Sequence, residues 1–407
     1  MFNIGLLTAQ HKQSFVKVAN ALFYFALVLY WSLSIVWTST AMGILTSRGY
    51  IIGIAAVMAL LVLREAINCI ALRRYVFRDV IGLLILALFA YIANRNESAT
   101  VAAGFLLIFA ARDMDYKKIF RYAIATTIVG IFVIYYASMQ GFITYGTWME
   151  GAIVRHAFGF IYPLVIPAYL LNIGIMTFAV REEKIAWWQI CTLFIFTVLT
   201  YRWCKADLSS GLMVVLLVAV LVVRSHPEII TSEHPFWRYT DRLAIWIFPI
   251  AILVSVVLVH YFNYDNSWMR WLDEITRGRL YFPHEALQKY GIKLWGQQMW
   301  FVGAGLDNFG NEVSGTYDYV DNVYINLLIR YGIVFVVISV LLLVLTMEYC
   351  RLHHMRIILW LFCLMAVHGL LEDKVQTVYF NSLLLLVGQA VQRYYGTKKH
   401  TQKLYME

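Results

Sequence analysis

Leu243-Ala-Ile-Trp-Ile-Phe-Pro-Ile-Ala-Ile-Leu-Val-Ser-Val-Val-Leu-Val259 decides the fold class. This near-continuous apolar run approaches the length that crosses a bilayer as a helix, about 20 residues. It gives way at once to residues 261–321, which cannot lie in lipid. That stretch carries Asp265, Arg270, Asp273, Glu274, Arg277, Arg279, His284, Glu285, Lys289, Lys293 and Asp321 among Trp, Tyr and Phe. A chain that only turns back into the membrane needs a short loop. One this long, charged in both signs and aromatic, is built to fold over something.

Similar apolar runs recur at 18–37, 161–180 and 212–223. Hydrophobic residues make up 61% of the chain and charged ones 14%, with a mean hydropathy of +0.68. Soluble domains carry about 25% charge. Lipid offers no partner for backbone N–H and C=O groups, so helices are the expected spanning form. The reading is an all-α, polytopic transmembrane bundle forming a single domain. About twelve spans are expected, at 18–38, 50–63, 79–94, 98–111, 119–138, 160–180, 185–201, 210–224, 243–261, 322–349, 357–371 and 377–392. The first run is too long and aromatic for a removable signal peptide.

The net charge of +9 raises the question of nucleic acid, and the placement of the charge answers it. Basic clusters at Arg64/Arg73/Arg74/Arg78, Arg112/Lys117/Lys118/Arg121, Arg181/Lys184, Arg224/Arg238/Arg242, Arg351/Arg356 and Arg393/Lys398/Lys399 fall between alternate pairs of runs. That is the positive-inside pattern of a multi-pass membrane protein, with the bilayer as its partner and no nucleic acid. It makes 262–321 one large extracytoplasmic loop. The five cysteines show no CxxC spacing. The longest cytoplasmic segment, 224–242, lacks a phosphate-cradling loop, so no cofactor of that kind is expected.

With this topology, ionisable groups converge at one membrane depth. Arg155 and His156 enter the sixth span, and Lys205 and Asp207 sit in the turn after the seventh. Arg277, Arg279, His284 and Glu285 come from the long loop. Asp321 and Tyr324 stand at its junction with the tenth span, and His368, Glu372 and Asp373 close the eleventh. Charges at such depths usually face a protein interior or a wet cavity. Each also has a plainer reading: Arg155 as an interfacial anchor, Arg277-Gly278-Arg279 as a surface turn, Asp321 as a helix cap.

Arg155-His-Ala-Phe-Gly-Phe-Ile-Tyr-Pro163, Arg277-Gly-Arg-Leu280, Glu285 through Gln297, Tyr319-Val-Asp-Asn-Val-Tyr324 and His368-Gly369 with Glu372 and Tyr379-Phe-Asn381 stand in an order that resembles the Wzy-type polysaccharide polymerases, relatives of the O-antigen ligases. The resemblance covers roughly residues 110–390. It departs from the family at Ile161-Tyr-Pro-Leu164 and at Lys205-Ala-Asp207, where relatives carry His-Pro-Asn and Ser-Arg. It implies a GT-C-like bundle in the bacterial plasma membrane. It also implies an extracytoplasmic site that joins polyprenyl-diphosphate-linked oligosaccharide repeat units, beside a flippase and a chain-length regulator.

On that reading Arg155, Arg277, Arg279 and Lys205 bind the lipid diphosphate, because charge building on the leaving group favours guanidinium contacts. A carboxylate or imidazole takes the acceptor proton. Asp321 is the first choice, with His156 and Glu372 beside it and His368 as a further candidate, while His284, Glu285 and Tyr324 line the substrate. The outer polar set is expected to lack a carboxylate-rich divalent site, so no metal is expected. Two other readings share the composition: a ligase passing glycan to a foreign acceptor, and a lipid-linked sugar flippase or secondary transporter. Helix is expected at Phe282–Tyr290, where Ala286, Leu287 and Tyr290 form an apolar face.

Overall fold

The computed structural model of the chain describes residues 9–72, 74–95, 99–150 and 153–393. Arg73, Lys398 and Lys399 of the basic clusters lie outside the described residues. The main helices are α1 (Ala9–Trp37), α2 (Ser47–Ala66), α3 (Phe77–Arg95), α4 (Ala99–Ala110), α5 (Tyr116–Met139), α6 (Val165–Arg181), α7 (Trp187–Cys204), α8 (Asp207–Ser225), α9 (Pro235–Ala244) and α10 (Ile247–His260). They continue with α11 (Ser267–Ile275), α12 (Tyr281–Tyr290), α13 (Val323–Arg330), α14 (Gly332–Leu352) and α15 (Arg356–Gly369). The named strands among the described residues are β1 (Thr147–Glu150) and β2 (Ile153–His156). They form an antiparallel hairpin that sets Trp148 opposite Arg155.

Among the described residues seven helices are long and apolar enough to cross a membrane, or eight if α9 and α10, bent by 52°, form one span. Several expected spans are therefore not whole helices. The fourth is reduced to α4, about 18 Å long at 1.5 Å per residue, well short of a hydrocarbon core of about 30 Å. The eleventh is the 14-residue α15. In the twelfth expected span, helix begins only after the irregular segment 377–381. The sixth starts at Val165, because residues 157–164 are spent on a turn that carries Phe158 and Gly159 at positive φ.

The tenth expected span is broken between Arg330 and Gly332, and the long polar segment explains the break. Residues 293–297 cross the helix there. Gln297 donates its backbone N–H to the Arg330 carbonyl at 3.0 Å, and Ile333 and Val334 donate to Lys293 and Leu294 at 3.2 Å. Gly296 and Gly332 meet at the crossing, both at positive φ. A Cβ on Gly296 would sit 2.3 Å from the Arg330 carbonyl oxygen, and one on Gly332 would sit 2.2 Å from the Gly296 nitrogen. Only glycine permits both the dihedral and the approach.

Two apolar cores result. The larger is made where α1 packs on α2 and α5 and where α6 packs on α8. The smaller joins Phe89 and Ile92 of α3 and Val259 of α10 to Phe262, Leu280, Ala286, Met299 and Val320 of the polar segment, with Ile325 and Ile329 of α13. Fully burying a side chain such as Leu or Phe contributes about 1.5–3 kcal/mol, so this second core holds residues 262–322 in place. The expected helix is there as α12, one residue longer at its start.

Candidate functional site

α11 begins where the Asn266 side chain accepts the N–H groups of Trp268 and Met269, and it places Asp273 near its end. The Asp273 carboxylate accepts the N–H groups of Leu280 and Tyr281 at 2.8 and 2.9 Å, tying the end of α11 to the start of α12. The intervening Arg277-Gly278-Arg279 is a tight turn with Arg277 in the left-handed region, and its two arginines diverge. Arg277 reaches the exposed Asp207 at 2.5 Å. Arg279 turns inward to Asp321 at 3.2 Å and donates to the Leu371 carbonyl at 3.4 Å.

Asp321 does not cap α13. Asn322 does, accepting from Tyr324 and Ile325 at 3.0 and 3.2 Å, which leaves the Asp321 carboxylate free to face Arg279 and the Tyr317 hydroxyl at 3.1 Å. On the facing side α15 ends at Gly369, and the chain turns through Glu372, Asp373 and Lys374, all buried or half-buried. One carboxylate oxygen each from Asp321, Glu372 and Asp373 lies within 4.8 Å of the others. Lys374 Nζ holds Glu372 at 2.6 Å, and the Tyr319 hydroxyl donates to Asp373 at 2.6 Å. The polar set expected at the outer face is thus carboxylate-rich after all. Loop residues 321 and 372–373 are distant in sequence, and only the fold brings them together.

Burial and the pairing of Arg279 and Lys374 with two of the three carboxylates set the protonation pattern. Burial pushes the Asp321 carboxyl up, against the pull of Arg279. Burial acts on Glu372 in the same sense, but Lys374, with His368, outweighs it and holds Glu372 below the usual range. Among the described residues Asp373 has no ion pair of its own: burial raises it against the pull of Lys374, Glu372 and Asp321 add to the rise, and it is raised to about 7. Like charges at this spacing cannot all ionise, so the set carries a proton near neutral pH. Such spacing suits a hard cation, yet each carboxylate already accepts from Arg279, Lys374 or Tyr319.

The set stands at one end of a cavity of about 760 Å³. Trp300, Tyr319, Arg330, Asp373 and Lys374 line this head. Apolar side chains of α3, α4 and α14, among them Ile85, Phe89, Phe105 and Phe335, line its length, and Arg78, Asp79, Arg112 and Gln392 stand at the far end. Tyr324 also lines it, its hydroxyl bound to the Ala366 carbonyl at 2.7 Å. It is a mostly apolar slot with charged side chains at both ends, one of them the mouth at Arg330, Asp373 and Lys374.

The remaining candidates are placed elsewhere or serve the frame. Arg155 is buried, donating from Nε to the Cys204 carbonyl at 2.9 Å and standing over the Tyr162 ring, so it joins the hairpin to the end of α7. His156 stacks on Phe158 and meets the Tyr145 hydroxyl at 3.3 Å. Lys205 ends α7 in the left-handed conformation with its ammonium over Tyr201. His284 is bound to the Val259 carbonyl at 2.8 Å, docking α12 on α10, and Glu285 is exposed. His368 is buried with Nε2 3.5 Å from Ser209 and no partner at Nδ1. Sequence reasoning missed Lys374 and Tyr317, and quoted Tyr319 only as part of the junction motif. The one available signal was the run Glu372-Asp373-Lys374, three consecutive charges directly after an apolar helix.

Comparison with protein-family models, with curated proteins and with solved structures finds no match to this chain.

Proposed function

We propose that the chain is a polysaccharide polymerase that joins polyprenyl-diphosphate-linked oligosaccharide repeat units at the outer face of a bacterial plasma membrane. The observation that carries this reading is the slot with its charged mouth. An apolar tail fits walls of Ile85, Phe89, Phe105 and Phe335, and an anionic head fits a mouth that presents Lys374 and Arg330. A soluble sugar nucleotide would have no use for such walls, whereas a lipid-linked donor gains about 0.8 kcal/mol for each methylene it buries.

The chemistry follows from the mouth. Breaking the bond between the anomeric carbon and the diphosphate builds negative charge on the leaving oxygen. Fixed cations such as Lys374 and Arg330 stabilise that charge without reorganising. Of the arginines singled out in the sequence, Arg279 is the one paired within the carboxylate set, where it holds Asp321 behind the slot. The attacking hydroxyl, whose own pKa lies far above neutral, transfers its proton to a carboxylate of the set Asp321, Glu372 and Asp373. Trp300 and Tyr319 of the segment 262–322 line the mouth end of the slot.

Purified protein given polyprenyl-diphosphate-linked repeat units should produce a ladder of longer glycans still on lipid diphosphate. Folded protein that leaves the units single contradicts the reading. A product on a foreign acceptor replaces it with a ligase.

A further inference from the structure

We infer that Asp373 is the proton-accepting catalytic residue of this site, and that Asp321 and Glu372 act as positioning residues behind it. The inference rests on the polymerase reading and goes beyond it by assigning the role to one carboxylate among three. The first argument is exposure to the slot. Asp373, Lys374 and Tyr319 line it, whereas Asp321, Glu372 and Arg279 do not. A base must come within hydrogen-bond reach of the proton it takes, so the lining carboxylate has precedence.

The second argument is occupancy. Asp321 is committed to Arg279 and Glu372 to Lys374, and an ion-paired carboxylate is a weaker base. Asp373 has neutral donors as its hydrogen-bond partners: the Tyr319 hydroxyl at 2.6 Å and the Gln376 amide at 3.3 Å. These orient the carboxylate without neutralising it. The groups acting on it are Lys374, Glu372 and Asp321, with the Tyr319 hydroxyl, while the Tyr331 and Tyr379 hydroxyls lie near enough to feel its charge. A carboxyl standing at about 7 is matched to general-base work at neutral pH.

The step balances. The acceptor hydroxyl oxygen bonds to the donor anomeric carbon as its proton passes to an Asp373 carboxylate oxygen. The bond from that carbon to the diphosphate breaks, and its electron pair leaves on the diphosphate oxygen beside Lys374. The proton then leaves Asp373 for the released diphosphate or for water. No oxidant, reductant or further reactant is needed.

The test measures ladder formation from polyprenyl-diphosphate-linked repeat units between about pH 5 and 9. Wild type, Asp373→Asn, Asp321→Asn and Tyr319→Phe are compared, with thermal unfolding recorded for each. Wild-type activity should rise with pH through about 7. Asp373→Asn should lose about 10²–10⁴-fold in rate together with that rising limb. Asp321→Asn should keep the limb. Tyr319→Phe removes a hydrogen bond that favours the charged carboxylate and should move the limb to higher pH, a shift that a merely structural role would not produce. A wild-type ladder that Asp373→Asn retains with its rising limb overturns the assignment alone, as does a limb unmoved in Tyr319→Phe. A folded wild type that makes no ladder overturns the polymerase reading, and the assignment falls with it.

Discussion

Two sets of buried charges flank the same slot, and they are built differently. At the far end Arg112 pairs with Asp79 and Glu65, each at 2.7 Å, and Arg64 pairs with Glu65 and Asp113. Arg74 stands 3.7 Å from Asp113. Every carboxylate there faces a guanidinium, and the pairs fasten α2, α3 and the end of α4 together. At the head, Arg279 and Lys374 pair with Asp321 and Glu372, and a tyrosine hydroxyl rather than a cation holds the third carboxylate. A matched set is a clamp that keeps its charges fixed. A carboxylate held by a neutral hydroxyl can keep a proton that moves, and that is the property the proposed base needs.

The largest effect expected from breaking this comparison is at the clamp. Arg112→Ala leaves Asp79 and Glu65 buried with less compensation and should cost about 3–5 kcal/mol of stability. Thermal unfolding in detergent measures it, and the fraction that stays folded should still polymerise. If Arg112→Ala instead gives a stable but inactive protein, the far set belongs to the chemistry and the contrast fails.

Next comes Arg279→Ala at the head. It removes the charge-assisted contact that holds Asp321 and should lower kcat/KM by about 1.5–3 kcal/mol, roughly 10- to 150-fold. Arg279→Lys should recover little, because an ammonium does not reproduce the guanidinium fork that reaches both Asp321 and the Leu371 carbonyl. Asp373 adds a stability signature of opposite sense to ordinary ion-paired acids. Its carboxyl is raised in the folded state, so folding takes up a proton, and the stability this contributes is lost as pH rises toward about 7. Asp373→Asn should flatten that decline in a series of melting curves.

Much of the frame was legible in the sequence, because lipid imposes a simple demand on composition. Runs such as 18–37 and 212–223 had to be helices, whereas 243–259 is bent at residues 245–246, and Ala286, Leu287 and Tyr290 marked α12 by spacing alone. The break at Arg330–Gly332 was not legible. Its cause is Gly296, remote in sequence, and nothing in Ile329-Arg-Tyr-Gly-Ile333 announces that a second segment crosses there. The site was legible in part. Arg279, Asp321 and Glu372 were named and do converge, whereas Arg155 and His156 proved to brace the hairpin. Asp321 and Asn322 both suit a cap, and only the geometry gives the cap to Asn322. Lys374 was not singled out in the sequence, and only the fold places it against Glu372.

Smaller effects test the slot between the two sets. Ser339→Trp adds a bulky ring to its wall and should raise KM for the lipid-linked donor about tenfold, roughly the burial of two methylenes at about 0.8 kcal/mol each. A comparable change in kcat with KM unmoved would argue against a tail in the slot. The smallest effect belongs to Arg277, whose pair with Asp207 is half-exposed on both sides. Arg277→Ala should change stability by no more than about 1 kcal/mol, and a large loss would mean that the R-G-R turn is held by this pair rather than by Asp273.

The most direct measurement is native mass spectrometry of the purified protein with polyprenyl diphosphate. An amphiphile seated with its head at Lys374 and Arg330 and its tail along the slot should give a one-to-one adduct. Arg330→Ala and Ser339→Trp should each weaken that adduct, and Arg277→Ala should leave it unchanged. No adduct with the wild type, or an adduct indifferent to both Arg330→Ala and Ser339→Trp, would contradict the account.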